Sequence, residues 1–422
     1  MTSSDLTTSA RSARPGDLTP GAAARAAAVP GVVAAPEILA AVTGALPVVT
    51  TVTAVVVTRG STPFLAQTLA AVRAQTTSPH TVVVVDAASG DASREHQGLQ
   101  LGDARFLAAP RARSFGDAVD AALANVDPGT WLWLLHDDSA PAPDALAELL
   151  RAVEHSTAVA VAGPKQERWV TGAGAEPAPP FASGSASRLV EVGVTTTPLG
   201  RRMTGIDDDE IDQGQHDARD DVLAVGLAGA LVRRTVWQEL GGTDPEYGSF
   251  GDGLDLCRRA RLAGHRVIVV PSAVVRHAQA SLLGLRDRRR GSTTLPAPDP
   301  GSSSAARRRS QLHARLVGVA APWLPFVALA MVLGAPFHAA YRLLVKQPGH
   351  ARDELLAPLW ALVRVGPVWR ARRAARRTRR LPRRARCAAR GARSSPSAGT
   401  VVWPVRSSGA PRGLLPTSSG AS

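Results

Sequence analysis

Four runs constrain this chain before anything else does: "VTAVVVT" (52–58), "TVVVVD" (81–86), "WLWLL" (131–135) and "AVAVAG" (158–163) are of strand length and almost wholly apolar. A strand with one face in water alternates apolar and polar residues, so a run without alternation needs cover on both faces. The intervening segments have helical period. "FLAQTLAAVRAQ" (64–75) puts Leu65, Leu69 and Val72 on one face, a helix is expected from about Ser114 to Ala124, and "PDALAELLRAVEHS" (143–156) carries Pro143 near its first turn. A short strand is expected around 105–107. Strands alternating with helices in this way predict an α/β fold, a mostly parallel sheet flanked by helices.

In such sheets ligands bind beyond the carboxyl ends of the strands. Asp86 ends the second run, and Asp137–Asp138 follow the third in "WLWLLHDDSAPAP" (131–143), where a prolyl loop is expected next. Adjacent carboxylates at a strand end are costly unless exposed, protonated or neutralised by a cation. Mg²⁺ and Mn²⁺ favour such oxygen ligands and leave positions for phosphates. Taken alone, the dipeptide suits an Asx-type turn as well.

Beyond residue 163 the pattern loosens. A Pro/Gly/Ser-rich stretch covers 171–187, and the acidic segment "GIDDDEIDQGQHDARDD" (205–221) reads as a solvated loop. "VLAVGLAGALVRRTVWQELGG" (222–242) is expected to be a strand leading into a helix ended by Gly241–Gly242. In "TDPEYGSFGDGLDLCRRARLAGHRVIVVPSAVVRHAQAS" (243–281) a loop bearing Asp252 and Asp255 opens a helix that Gly264 ends, and a strand then runs toward His277.

The segment from Leu316 to Tyr341 has no charged residue in 26 positions, enough to cross a hydrocarbon core of about 30 Å. Pro322, Pro325 and Pro336 interrupt it, which membrane helices tolerate. Basic residues flank it on both sides, so a hairpin or an interfacial segment would keep both flanks in the cytoplasm. After Glu354 come 15 arginines and no acid; taking these from the chain's +14 leaves the first 354 residues at −1. The excess positive charge therefore belongs to the tail. Its arginines lack interleaved aromatics, and anionic lipid is the expected partner rather than nucleic acid. The expected division is a disordered arm (1–48) without a secretory signal's pattern, a catalytic domain (49–285), a linker (286–310), a membrane-associated hydrophobic hairpin or transmembrane segment (311–370) and a basic, disordered tail (371–422).

No Walker-type loop and no G-x-G-x-x-G after a strand is present, which removes the main support for kinase, ATPase and dinucleotide-dependent dehydrogenase readings. No G-x-S-x-G elbow sits between a strand and a helix. Two cysteines, Cys257 and Cys387, give neither a disulfide framework nor a thiolate metal cluster.

The ordered set "VVVTRGSTPFLAQTLAAVRAQ", "VVVVDAASGD", "HDD", "GALVRRTVWQELGGTDPEYGSFGDGLDL" and "AGHRVIVVPSAVVRHAQAS", covering roughly 50–283, resembles the family-two inverting, nucleotide-sugar-dependent glycosyltransferases of GT-A fold. "GPKQERW" and the hydrophobic, arginine-rich C-terminus are similar to actinobacterial membrane-associated cell-envelope members. The resemblance implies that Thr58, Arg59 and Asp86 hold the nucleotide, that Asp138 is the ligand of a divalent metal (Mg²⁺ or Mn²⁺), and that Asp137 binds ribose or supports that metal. His136 stands where many members have a further acid. His277 matches a histidine that reaches the metal or diphosphate in some relatives. The general base would come from "FGDGLDL", where Asp252 and Asp255 remain but Gly253 replaces an expected acid. The implied reaction takes a nucleotide-sugar donor and a glycan or lipid-linked acceptor at the cell membrane, with the catalytic domain on the cytoplasmic side. Two alternatives stay open: a membrane-anchored scaffold with impaired activity, supported by Gly253, and a nucleotidyltransferase, for which "RGSTP" would be a poor triphosphate loop.

Overall fold

The computed structural model describes residues 50–60, 62–88, 102–127, 129–170, 177–181, 186–197, 200–286 and 295–381. The expected N-terminal arm and the tail beyond 381 lie outside them.

The first half follows the apolar runs. Strand β1 (Val52–Thr58) leads to helix α1 (Leu65–Arg73), then β2 (Thr81–Asp86), β3 (Arg105–Ala108), α2 (Phe115–Asn125), β4 (Trp131–His136), β5 (Ser139–Pro141), α3 (Ala145–Glu154) and β6 (Val159–Arg168). Ser114 caps α2, its Oγ accepting from Asp117 N at 3.1 Å. Short strands β7 (Leu189–Glu191), β8 (Thr195–Thr196) and β9 (Arg202–Met203) follow. Then come β10 (Ala230–Arg233), α4 (Arg234–Leu240), a 3-10 turn (Pro245–Phe250), α5 (Asp252–Leu262) and β11 (Arg266–His277).

Nine strands form one sheet in the order β3-β2-β1-β4-β10-β6-β11-β5, with β7 on β6. Six of them (β1, β2, β3, β4, β6 and β11) run in one direction, and β5, β7 and β10 oppose them. Both faces are covered. Val55, Val83, Leu132 and Leu134 pack with α2, α4 and α5, whereas Val56, Val84, Trp133 and Leu135 pack with α1 and α3. Each such side chain contributes roughly 1.5–3 kcal/mol when fully buried, which is why these runs have no polar alternation.

Three expectations need correction. The residues after Asp138 are not simply a prolyl loop: Ser139–Pro141 pairs antiparallel with the end of β11, His277 opposite Ser139. The strand expected to start at 222 is only β10, because Val222, Ala224, Val225 and Leu227 are buried as irregular chain against the core. The acidic segment is a loop, but ion pairs hold it: Lys165 Nζ lies 2.7 Å from Asp212 and 2.6 Å from Asp217.

The C-terminal part contains α6 (Ser304–Gly318), α7 (Leu324–Leu344), α8 (Pro348–Val363) and α9 (Val365–Arg377). The expected linker is therefore helical from Ser304, and the expected tail is helical to Arg377. Helix α6 docks on the catalytic half. His313 Nε2 lies 2.8 Å from Asp244 Oδ2, and its ring meets Tyr247 edge-on at 4.9 Å. Arg372 of α9 is buried and donates to Leu316 O (2.6 Å) and Val319 O (2.8 Å), closing the C-terminal end of α6. The long uncharged run is split: Leu316 and Val317 are buried in α6, and 321–344 forms one helical stretch long and apolar enough to cross a membrane.

Candidate active site

The parallel register sets the site. Thr58 is level with Asp86, and Val57 is level with His136, so the ends of β1, β2 and β4 open at one edge of the sheet. Beyond this edge lies a cavity of about 1530 Å³, lined among others by Thr58, Arg59, His136, Asp138, Asp252 and His277.

The β5–β11 pairing brings the metal candidates together. Asp138 O accepts from Ala278 N at 3.0 Å, and Asp138 Oδ2 accepts from Ala280 N at 2.7 Å. That leaves Asp138 Oδ1, which is buried and has no hydrogen-bond partner among the described residues. His277 Nε2 lies 3.5 Å from it. One ligand atom from each of His136, Asp138 and His277 falls within 4.8 Å of the others. His277 Nδ1 is 3.1 Å from Gln166 Oε1. An amide oxygen only accepts, so Nδ1 carries a proton and Nε2 is the ring atom turned toward Asp138. An imidazole fixed through its other nitrogen, beside a buried carboxylate oxygen without a hydrogen-bond partner among the described residues, is a donor set that suits a divalent cation. Burial alone would raise the Asp138 pKa, but His277 and Arg286 outweigh it and hold the carboxyl well below the usual range. Burial pushes His136 down to about 4, leaving the neutral imidazole that can ligate a metal.

Asp137 is fully buried and does not line the cavity. Arg286 grips it with two bonds, Nη1 to Oδ2 at 2.9 Å and Nη2 to Oδ1 at 2.6 Å. Arg286 Nη2 also lies 3.4 Å from Asp138 Oδ1. Thr58 Oγ1 is 2.9 Å from Asp137 Oδ2 and 2.8 Å from Gly60 O, and its single proton serves one of them at a time. Asp86 is buried as well; its Oδ1 accepts from Gly60 N (3.0 Å) and Ala88 N (2.8 Å), shaping the corners after β1 and β2. Arg59 is exposed at the cavity wall.

The candidate bases separate. Asp252 starts α5, lines the cavity and accepts from Gly253 N at 2.8 Å; burial pushes its carboxyl up to about 6. Asp255 does not reach the cavity. Its carboxylate is held by Arg259 Nε at 2.7 Å, and that guanidinium also donates to Leu240 O and Gly242 O. Asp255, the second expected catalytic carboxylate, thus sits in a buried ion pair that fastens α5 to the end of α4. Gly253 is not an open place for an acid: a Cβ there would meet Val225 O at 2.8 Å and Leu227 Cγ at 3.2 Å.

Three residues at the site escape motif reading. Gln166 orients His277, Arg286 clamps Asp137, and Glu191 is a buried cavity carboxylate paired with Arg202. Gln166 lies within "GPKQERW" and Arg286 opens a run of basic residues, but nothing local marks either as facing the β4 end.

A largely parallel curled sheet, with a strand-end Asp/His cluster and a buried carboxylate lining one cavity, is a GT-A-type fold. The chain belongs to the family described as "Glycosyltransferase like family 2", whose model matches residues 49–292. No curated protein matches it in sequence. Solved structures similar to it include GalNAc-T7 with UDP, GalNAc and Mn²⁺ (15% identity over 64% of this chain and 48% of that one, TM-score 0.44). This chain thus spans about half the length of that protein. The mannosyltransferase PcManGT from Pyrobaculum calidifontis with GDP-Man and Mn²⁺ is 18% identical over 74% of this chain and 86% of that one, TM-score 0.40. S. aureus TarS is 12% identical over 67% and 42%, TM-score 0.34.

Proposed function

We propose that the chain transfers a sugar from a nucleotide-diphosphate donor, with inversion, to a glycan or lipid-linked acceptor, in building cell-envelope polysaccharide at the cytoplasmic face of the membrane. One observation carries this reading: a single cavity is lined both by the Asp138, His136 and His277 cluster and by Asp252. Asp138 Oδ1, His277 and His136 would hold Mg²⁺ or Mn²⁺, which when bound offsets charge developing on the diphosphate leaving group. The corners set by Thr58 and Asp86, with Arg59 beside them, form the wall for the nucleoside. Asp137, gripped by Thr58 and Arg286, keeps the Asp138 loop in place.

In the same cavity, ionised Asp252 takes the proton from the acceptor hydroxyl as its oxygen attacks the anomeric carbon. A carboxylate with a pKa near 6 is a stronger base than an ordinary one and is still ionised at neutral pH. Glu191 also lines the cavity, but Arg202 neutralises it. The glycine at 253 lends no support to a disabled scaffold, since the fold leaves no room for a side chain there.

The test is to incubate the detergent-solubilised full chain with a panel of nucleotide sugars and Mn²⁺. Metal-dependent nucleotide release from at least one donor, abolished in Asp138→Ala, is expected. A folded chain that releases nucleotide from none of them contradicts the proposal.

A further inference from the structure

The cavity does not end at Asp252. It continues between α6, α7 and α8, where Arg307, Arg308, Arg315 and Arg342 line it, with Arg201 from the loop before β9. Two carboxylates line the same end. Asp353 is bonded to Ser304, and Glu354 lies 2.8 Å from Arg308 Nη2 and 4.0 Å from Arg342 Nε. Five guanidiniums thus face two acids. Among the described residues the side chains of Arg201 and Arg315 have no hydrogen-bond or ion-pair partner, and Arg308 Nε is buried without one. Burial lowers the Arg308 pKa, Glu354 opposes this, and Arg315 and Arg342 add to it. Arg201 and Arg307 are exposed and Arg308, Arg315 and Arg342 half-buried; like charges gathered this way, some partly desolvated, are unfavourable unless an anion completes them. Forked guanidinium donors match phosphoryl oxygens.

Helix α7 indicates how that anion arrives. Ala330, His338 and Arg342 of this helix line the cavity. Met331, Ala335 and Ala339 form a second face, buried in the helical packing. Phe326, Leu329, Leu333, Phe337 and Tyr341 make a third face, more than half exposed at each position. One helix therefore carries a row of exposed apolar residues and, in Arg342, a guanidinium that lines the recess. Arg342 lies near its C-terminal end, where a spanning helix would meet the headgroup layer.

We propose that this recess binds the phosphoryl headgroup of an amphiphilic lipid, which would present the acceptor to Asp252. The lipid tail lies along the exposed face of α7, and the phosphoryl group is held by Arg307, Arg308, Arg315 and Arg342. The acceptor role rests on the glycosyl-transfer reading above; the lipid site does not.

The experiment uses the full chain in phosphatidylcholine nanodiscs with three probes: a long-chain prenyl monophosphate, the same prenol without phosphate, and inorganic phosphate. The prenyl phosphate is expected to bind at least tenfold more tightly than the prenol, and equimolar inorganic phosphate is expected not to displace it. Arg307→Gln/Arg308→Gln should lose at least tenfold in affinity. Arg370→Gln/Arg373→Gln, which removes the same charge from exposed positions on α9, should not. Arg315→Gln, which costs no side-chain hydrogen bond or ion pair among the described residues, should lose about threefold, so misfolding of the double variant does not decide the matter. Equal binding of the prenol, displacement by free phosphate, or an equal loss in the α9 control overturns the site. Mn²⁺ binding, measured on every variant, reports the Asp138 centre separately. If prenyl phosphate binds as stated but no donor is turned over, the glycosyl-transfer reading fails and the lipid site stands.

Discussion

Gly253 decides more than its size suggests. A Cβ at that position would lie 2.8 Å from the backbone oxygen of Val225, which cannot swing away as a side chain can. Gly253→Ala is expected to destabilise the chain by about 1–3 kcal/mol through overpacking, read as a lower denaturation midpoint, and Gly253→Asp should do no better and bring no gain in turnover. In the proposed mechanism the base is therefore Asp252. A carboxyl whose pKa is raised to about 6 is protonated, and lost as a base, as pH falls through that value. Turnover is therefore expected to drop on the acid side of about pH 6, and Asp252→Asn should lose about 10²–10⁴-fold in kcat and abolish that limb of the pH profile. These points bear on how far residues could be read from the chain. The strand-end placement of Asp138 and His277 was legible because an apolar run precedes each. The identity of the base was not, because the space around residue 253 is set by Val225 and Leu227, remote in sequence and in a segment that looks like a strand but is not one.

At the scale of elements, the pairing of β5 with β11 turns two strand ends into one centre. It places His277 opposite Ser139, next to Asp138, and leaves Gln166 of β6 to set the imidazole's tautomer. The alternating apolar runs made the parallel core readable, whereas three-residue strands such as β5 carry too short a pattern to be seen. Asp255 illustrates the same limit: its partner Arg259 lies one helical turn on, but the carbonyls that complete the pair belong to Leu240 and Gly242. Removing one member of a buried pair leaves an uncompensated charge, so Arg259→Ala is expected to cost about 3–5 kcal/mol in urea denaturation. Asp255→Leu with Arg259→Met should recover most of that loss. If single and double variants unfold alike, the pair does not fasten α5 as described.

For the whole molecule, the catalytic half and the C-terminal helices share a cavity, through the docking of α6 by His313 on Asp244 and the lining of one recess by α6, α7 and α8. The sequence marked the apolar run and the arginines, but a proline-broken segment gives no sign of which residues face inward. Residues on the exposed face of α7 should be the membrane contact. Leu333→Arg with Phe337→Arg is expected to shift the chain from the membrane to the soluble fraction, each arginine costing about 2.5–3.5 kcal/mol at the centre of a spanning helix, while leaving the fold intact by circular dichroism. Unchanged partitioning would mean that α7 does not carry the attachment.

The central claim is that Asp138, His136 and His277 form a divalent-metal centre. Mn²⁺ binding followed by electron paramagnetic resonance on the full chain tests it most directly. One Mn²⁺ site is expected, lost in Asp138→Ala and weakened about 10–100-fold in Gln166→Ala, with the nucleoside diphosphate altering the Mn²⁺ signal only when Asp138 is present. Binding of Mn²⁺ with equal affinity by the wild type and by Asp138→Ala would contradict it.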